Sequence, residues 1–295
     1  MLSGIDRRRT IRIRRSSLLK SKLEKMDRPA IKVAESPKEY RQAFRIVYDE
    51  YLKETYAEPH PSGMLYSAYN LLPKTVTMIF KSYLDTVSTV SLVPDTRLFG
   101  LPMDVLYKKE LRPLREAGRT VAEIGGLATR RMNRWSNLLI YMARALYRYA
   151  MFADINDVVI MVNPKHVRFY THILLFEPFG EERYYGSVGA PAVALRINMD
   201  KFTQRLQGAY AEADFETDLY SFFVKVHNDI VDLEVEYSAV RNRPLDMALA
   251  RELFRARPEL LENMTPEQRE YMEVVYHRAL FRSHFFCKKE LVGNA

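Results

Sequence analysis

Val121-Ala-Glu-Ile-Gly-Gly-Leu-Ala-Thr129 and Asp157-Val-Val-Ile-Met-Val162 are two short apolar runs, and the residues between and after them decide the fold. Runs of this length suit buried strands. Between them a basic turn, Arg130-Arg-Met-Asn-Arg-Trp135, leads to Ser136, a good N-cap type, and then to Leu138, Met142, Ala145 and Tyr149 at helical spacing. After the second run Asn163-Pro164 turns the chain into Lys165-His-Val-Arg-Phe-Tyr-Thr-His-Ile-Leu-Leu-Phe176, with Pro164 suited to a first helical position. Strand, helix, strand, helix is a β-α-β-α order. It implies two neighbouring strands joined by a right-handed crossover.

Upstream, Ile31-Lys-Val-Ala-Glu35 predicts a first strand. Ser36-Pro-Lys-Glu39 predicts a helix start, with Ser36 capping, Pro37 in the first turn and Glu39 at the capping-box position. That helix carries Tyr40, Phe44, Val47, Tyr48 and Tyr51 on one side. Residues 55–73 form a long connection rich in Pro, Tyr and Gly, a length that is usually functional or mobile. The β-branched runs 75–80 and 87–93 predict a hairpin, and 101–117 a helix with Leu106, Leu111 and Leu114 inward. Downstream, 175–180 predicts the turn after the last helix, 184–189 a further turn, and 192–197 a final strand. Beyond Asp200 the pattern is helical. One helix is expected over 218–240, a second including 247–255, and a third from the Thr265-Pro-Glu-Gln268 cap through Leu280.

With 295 residues, 47% of them apolar, the chain is long enough to bury a sizeable core. No apolar run reaches the roughly 18 residues of a membrane span, and no apolar segment follows the basic N-terminus as in a secretory signal. The single cysteine, Cys287, excludes an internal disulfide framework and a multi-cysteine zinc site, and a reducing cytoplasm is the simple reading. The net charge of +8 sits almost entirely in one place: residues 1–28 hold ten basic and three acidic residues, a net +7. A basic chain invites a nucleic-acid reading, but this charge belongs to a tail, and no nucleic acid is expected. Leu18, Leu19, Leu23 and Met26 give that arm a narrow apolar face suited to an anionic bilayer. A solvated terminus is the equal alternative.

The order of elements resembles the acetyltransferase-like (GNAT) fold. Asn163-Pro-x-x-x-x-Phe169-Tyr170 followed by Leu175-Phe176-Glu-Pro-Phe-Gly180 is similar to that fold's last helix and the turn after it. Within the superfamily the chain resembles the long-chain N-acyl amino acid synthases of the FeeM type, cousins of the acyl-homoserine-lactone synthases. Asn70-Leu-Leu-Pro73, Val90-Ser-Leu-Val-Pro-Asp95, Gly100-Leu-Pro-Met-Asp104 and Ala122-Glu123 carry the likeness. It covers residues 31–199, so the expected organisation is a basic arm (1–30), a GNAT-like domain (31–199) and a helical C-terminal extension (200–295). The implied class is α/β (α+β): a mixed, mostly antiparallel sheet flanked by helices.

Acyl transfer to an amine needs a base for the amine, a polarised thioester carbonyl and a proton for the leaving thiolate. Glu123 stands alone in an apolar strand, where burial raises a carboxyl toward a useful range. The resemblance implies the base role; a structural ion pair with an arginine such as Arg196 is the alternative. Gly125 and Gly126 remove side chains beside it, which suits close approach of an acyl donor or else a simple bulge. In the wider fold backbone N–H groups near Leu127 and Ala128 would face the thioester oxygen. Tyr170 falls where many members carry a tyrosine that protonates the thiolate; packing is the other reading. Acetyl-CoA enzymes of this fold place a glycine-rich loop at the helix start, whereas this chain has Arg130, Arg131, Arg134 and Trp135 before Ser136 and no glycine. That substitution favours acyl carrier protein over acyl-CoA as donor, since one phosphopantetheine phosphate needs more arginine and less backbone cradle; a basic solvated turn is the other reading. The resemblance makes Tyr48, Tyr56, Tyr66 and Tyr69 candidate acceptor-pocket aromatics, with an amino acid as the implied acceptor; packing of Tyr56, Tyr66 and Tyr69 against the core is the other reading. His166 and His172 lie six apart, off any shared ligand face, and no metal or cofactor is expected. Two other functions remain open: acyl-homoserine-lactone-type signal synthesis on the same fold, and a nonenzymatic adaptor acting through the basic arm.

Overall fold

Ser36 and Glu39 start the first helix as their spacing predicts. In the computed structural model, which describes residues 26–131, 136–210, 213, 217–225, 232–233 and 240–277, the Ser36 hydroxyl accepts the Glu39 N–H at 3.3 Å. The Glu39 carboxylate accepts the Glu35 and Ser36 N–H groups at 3.0 and 3.2 Å. The elements run β1 (Pro29–Val33), α1 (Pro37–Lys53), a 3-10 turn (Ala68–Leu71), β2 (Val76–Ser82), β3 (Asp85–Pro94), α2 (Asp104–Glu116), β4 (Val121–Thr129) and α3 (Ser136–Phe152). They continue with β5 (Asp157–Val162), α4 (Pro164–His172), β6 (Glu177–Tyr185), β7 (Ala190–Asn198), α5 (Met199–Tyr210), α6 (Leu219–Val224), β8 (Asp232–Leu233), α7 (Met247–Ala256), α8 (Glu259–Glu262) and α9 (Pro266–Val275).

The strands form one sheet in the order β6-β7-β5-β4-β3-β2-β1-β8. Only β4 with β5 and β1 with β8 are parallel, so the sheet is mixed and mostly antiparallel, the GNAT-like class expected. Strand alternation sends side chains to two faces. Met78, Leu92, Ala122, Ile160 and Leu195 meet α3, α5 and α6 in the main core. Val93, Val121, Val159 and Ala194 meet α2 on the other face, and Ile79 meets α1 and α7 there. Each such valine, leucine, isoleucine or methionine contributes about 1.5–3 kcal/mol by leaving water.

Three expectations need correction. The turn expected over 184–189 is the β6–β7 hairpin link at 186–189, but the segment 177–185 is a strand where 175–180 was expected as the turn after the last helix. Its Pro178, Gly180 and acidic pair are tolerated because β6 is an edge strand, paired only with β7 and interrupted by two register shifts. Gly180 is required there, since a Cβ would lie 2.5 Å from the Tyr107 ring, whose hydroxyl donates to Glu181 O at 2.9 Å and Ala192 O at 2.7 Å. Residues 218–240 are not one helix. Asp218 caps α6 by accepting the Ser221 N–H at 2.9 Å, the helix ends at Val224, and Asp232–Leu233 pairs with β1. The third C-terminal helix starts on its capping box as expected but ends at Val275, ahead of the Leu280 expected from the sequence.

The residues after Asp200 share the cores of the rest. Phe202, Leu206, Leu219 and Phe222 are buried in the main core. Leu249, Leu253 and Met272 pack with Phe44 of α1, Tyr66 and Leu71. The Tyr276 hydroxyl donates to Leu71 O at 2.5 Å, tying the C-terminal helices to the long connection. The basic arm up to residue 25, Arg134, Trp135 and Cys287 lie outside the described residues.

Candidate active site

Glu123 is 3% exposed near the start of β4, facing the α2 side between Val93 of β3 and Val159 of β5. Arg196, the arginine considered as its ion-pair partner, is committed elsewhere: its Nε and Nη2 hold Asp157 Oδ1 at 2.7 and 2.6 Å. Glu123 instead accepts one backbone N–H, from Met103 at 2.7 Å. Burial pushes its carboxyl up, the Met103 bond opposes this, and the nearby Asp104 and Asp95 charges add to the rise, to about 8. Glu39 shows the contrast. Burial raises it too, but two backbone N–H groups and Lys81 overcome that and hold it at about 2. One buried glutamate is satisfied; the other is left needing a proton near neutral pH.

The loop that reaches Glu123 is itself clamped. Arg115 of α2 donates to Asp95 at 2.6 and 3.0 Å and to Asp104 at 2.6 Å from two nitrogens. Asp104 also accepts the Leu101 N–H at 2.7 Å. This fixes residues 101–104, and so the Met103 N–H, over the carboxylate.

Two residues beyond Glu123 the sheet changes. The parallel pairing of β4 with β5 runs from Val121↔Asp157 to Ile124↔Ile160 and stops, although both strands continue. On the other side the β3 register jumps from Ser91↔Gly125 to Thr89↔Ala128. Gly126 and Leu127 therefore have no register partner in β3, while Ala128 rejoins the ladder. Gly126 has φ +59, a conformation that glycine adopts without strain. An added Cβ at Gly125 would meet nothing within 4 Å, so the space beside it is open. The extra residue also flips side-chain parity, which puts Leu127 on the same face as Ile124.

That face holds a narrow apolar cavity of about 50 Å³ between the sheet and α3. Ile124, Leu127, Leu139 and Tyr170 line it near the parting strands. Tyr170 is 8% exposed and stacks edge-on with Phe169 and Phe176, both at 5.5 Å. Burial, then the phenol of Tyr51, push its own phenol upward. A carboxyl in need of a proton and an apolar slot thus flank one gap in the sheet from opposite faces.

The aromatics divide. Tyr69 lies near Glu123: burial and then the Glu123 charge raise its phenol to about 12, and its hydroxyl donates to Phe99 O at 3.2 Å and Leu101 O at 3.3 Å. Tyr56 packs edge-on against Tyr51 at 6.1 Å and lies 5.5 Å from Lys165 Nζ. Tyr48 bonds the backbone of His60 at 3.0 and 3.4 Å and so pins the connection. Tyr66 is in the second core, 5% exposed, with its hydroxyl on Leu253 O at 2.7 Å. Arg130 and Arg131 are exposed at the end of β4; Ser136 is the first residue of α3.

Sequence reasoning did not select Asn70, Ser91, Thr77, Tyr51 or Arg115. Asn70 Nδ2 donates to Ser91 Oγ at 3.2 Å, and Ser91 meets Thr77 Oγ1 at 3.3 Å, a polar row facing the same side as Glu123. The signal was present: Asn70, Ser91, Asp95 and the 100–104 segment belong to the short motifs that carried the family likeness, and they converge around Glu123.

The family model described as N-acyl amino acid synthase FeeM matches residues 42–198, more than half of the chain. Comparison with curated proteins by sequence finds no match. Among solved structures the chain is similar to FeeM, an N-acyl amino acid synthase from uncultured soil microbes, at 25% identity and TM-score 0.57, over 62% of this chain and 99% of that one. It also aligns with the acyl-homoserine-lactone synthase LasI at 18% identity and TM-score 0.49, over 64% and 98% of the two chains. An acyl-CoA N-acyltransferase from Pseudomonas aeruginosa aligns at 16% and 0.41, over 57% and 97%.

Proposed function

This chain belongs to the FeeM family of N-acyl amino acid synthases and is an N-acyltransferase, and from that premise we propose that it transfers a long acyl chain from acyl carrier protein to the amine of an amino acid. One observation carries the reading: Glu123 and the apolar cavity lie on opposite faces of β4 where it parts from β5. The acyl chain occupies the cavity, and its thioester carbon sits in the gap beside Gly125. The amine approaches from the Glu123 face, past Tyr69 and the Asn70–Ser91 row. Glu123 takes the amine proton as the C–N bond forms, and a carboxyl poised near 8 suits that task at neutral pH. The N–H groups of Gly126 and Leu127, outside the β3 register, receive the carbonyl oxygen as it becomes an oxyanion. The C–S bond then breaks and the sulfur leaves as a thiolate, which takes a proton from solvent while Glu123 gives up to solvent the proton it took from the amine. Tyr170, a weaker acid than a free phenol, stabilises that sulfur by donating a hydrogen bond.

The donor assignment rests on the exposed Arg130 and Arg131 and the glycine-free turn after them, which suit an acidic carrier surface. We place the reaction in the cytoplasm, with the basic arm of residues 1–30 against an anionic membrane face. A purely nonenzymatic adaptor is displaced by the family assignment. The test is mass spectrometry of purified enzyme incubated with acyl-loaded carrier protein and an amino-acid mixture, alongside lipid extracts of expressing cells. Acylated amino acids are the expected product. Acyl transfer only when S-adenosylmethionine is supplied would replace this reading with signal synthesis.

A further inference from the structure

The far end of the apolar cavity is not built by the family-matched segment alone. Residues 42–198 supply the sheet and α3 walls, but Met199, Phe202 and Phe223 belong to α5 and α6, beyond that span. The two phenylalanines close on Tyr147 of α3, with ring centroids 5.4 Å (Phe202) and 5.6 Å (Phe223) from it and 6.3 Å from each other. The Tyr147 hydroxyl bonds that of Thr203 at 2.8 Å, which fixes the ring against α5. Val158 and its register partner Ile197 line this same lower end of the sheet.

The other end, beside the parting strands, is lined by Leu127, Leu139 and Tyr170. From Leu139 to Tyr147 the cavity follows α3 for about 12 Å at ~1.5 Å per residue. An extended chain advances ~3.5 Å over three bonds, or about 1.2 Å per bond, so roughly ten bonds span the distance from Leu139 to the wall.

We propose that Phe202 and Phe223, in the segment that follows the acyltransferase domain, are the residues that set acyl-chain length, by forming with Tyr147 the wall at which the chain's methyl end stops. The proposal rests on the acyltransferase reading of the same site. Three packed rings held by a hydrogen bond do not yield as a methionine side chain would. A longer chain must displace them, and a shorter one leaves unfilled apolar space with lost contacts.

The test uses the full chain and two readouts. One is equilibrium binding of a graded series of free saturated fatty acids, followed by calorimetry; the other is the chain-length distribution of the amide product. Phe223→Ala should move the preferred length up by about two to four carbons at ~1.2 Å per bond. Phe202→Leu, which keeps most of the bulk and so the fold, should move it up by less. Ala143→Leu, midway along the α3 wall, should move it down. Unchanged preference in folded Phe202→Leu and Ala143→Leu proteins overturns the proposal, whatever happens to Phe223→Ala. If the binding preference shifts as expected while the wild type forms no amide, the wall stands and the proposed function fails. If amide forms with an unmoved length distribution, the wall fails and the function stands.

Discussion

Glu123→Gln should raise stability while abolishing most of the activity, and the two effects should depend on pH in a linked way. The side chain keeps its shape and an acceptor for the Met103 N–H, but loses the ionisable proton. In the folded protein the carboxyl stands at about 8 rather than 4.5, chiefly through burial. Because the folded value is raised, the native state binds the proton more tightly than the unfolded chain. Its contribution is fully present below pH 4.5 and is lost as pH rises to about 8. At ~1.36 kcal/mol per pH unit the loss reaches about 3 kcal/mol at pH 7 and on the order of 5 kcal/mol above pH 8. Glutamine does not titrate, so the variant should gain on the wild type by these amounts as pH rises, with no gain near pH 4. Urea unfolding of both proteins across this range measures the difference. Amide formation should fall by ~10²-fold or more, and the wild-type rate should rise along an acid limb centred near pH 8. Parallel stability curves for the two proteins, or wild-type turnover in the variant, would refute the account of Glu123 as a base held under strain.

Arg115→Leu removes the clamp on Asp95 and Asp104 and leaves two carboxylates that both raise Glu123. Stability should drop by about 2 kcal/mol, and the acid limb of the pH–rate profile should move to higher pH; an unmoved limb would show that Arg115 is structural only. Gly126→Ala places a side chain at φ +59, and urea unfolding should show a loss of ~1–2 kcal/mol. Gly125→Ala, in ordinary strand conformation with open space around it, should change stability by less than ~0.5 kcal/mol but cut kcat/KM by filling the gap. Changing Arg130 and Arg131 to Glu should slow use of acyl carrier protein by ~10-fold or more, and added salt should weaken the wild type in the same direction. Equal kcat/KM for acyl-CoA and acyl carrier protein across the salt series would remove the carrier dock.

The β-α-β-α core was legible because each signal was local. Val121–Thr129 and Asp157–Val162 came out with their strand limits intact, since apolar runs this short fit a buried strand and little else. Ser36, Asn163 and Thr265 announced helix starts through hydrogen bonds that span three residues or fewer. Glu123 stood out because a lone acid in such a run must be buried. What stayed hidden was set by distant partners. β6 is a strand only because β7 offers it an edge and Tyr107 fills the space over Gly180. Asp232–Leu233 is a strand only because β1 lies open beside it. Arg196 was a reasonable partner for Glu123 by strand pattern, but it extends from β7 to Asp157 in β5, and no sequence period encodes which acid an arginine reaches. The clamp of Arg115 on Asp95 and Asp104 joins residues up to twenty apart, and the wall of Phe202 and Phe223 joins α5 and α6 to Tyr147 on α3. Sequence by itself determined the β-α-β-α core, the capped helix starts and that one acid is out of place, because hydrogen bonds and hydrophobic alternation act over a few residues. Tertiary structure alone decided how strongly that acid is denied a charge partner and where the acyl slot ends, because both depend on which surfaces remain to meet once the sheet has closed.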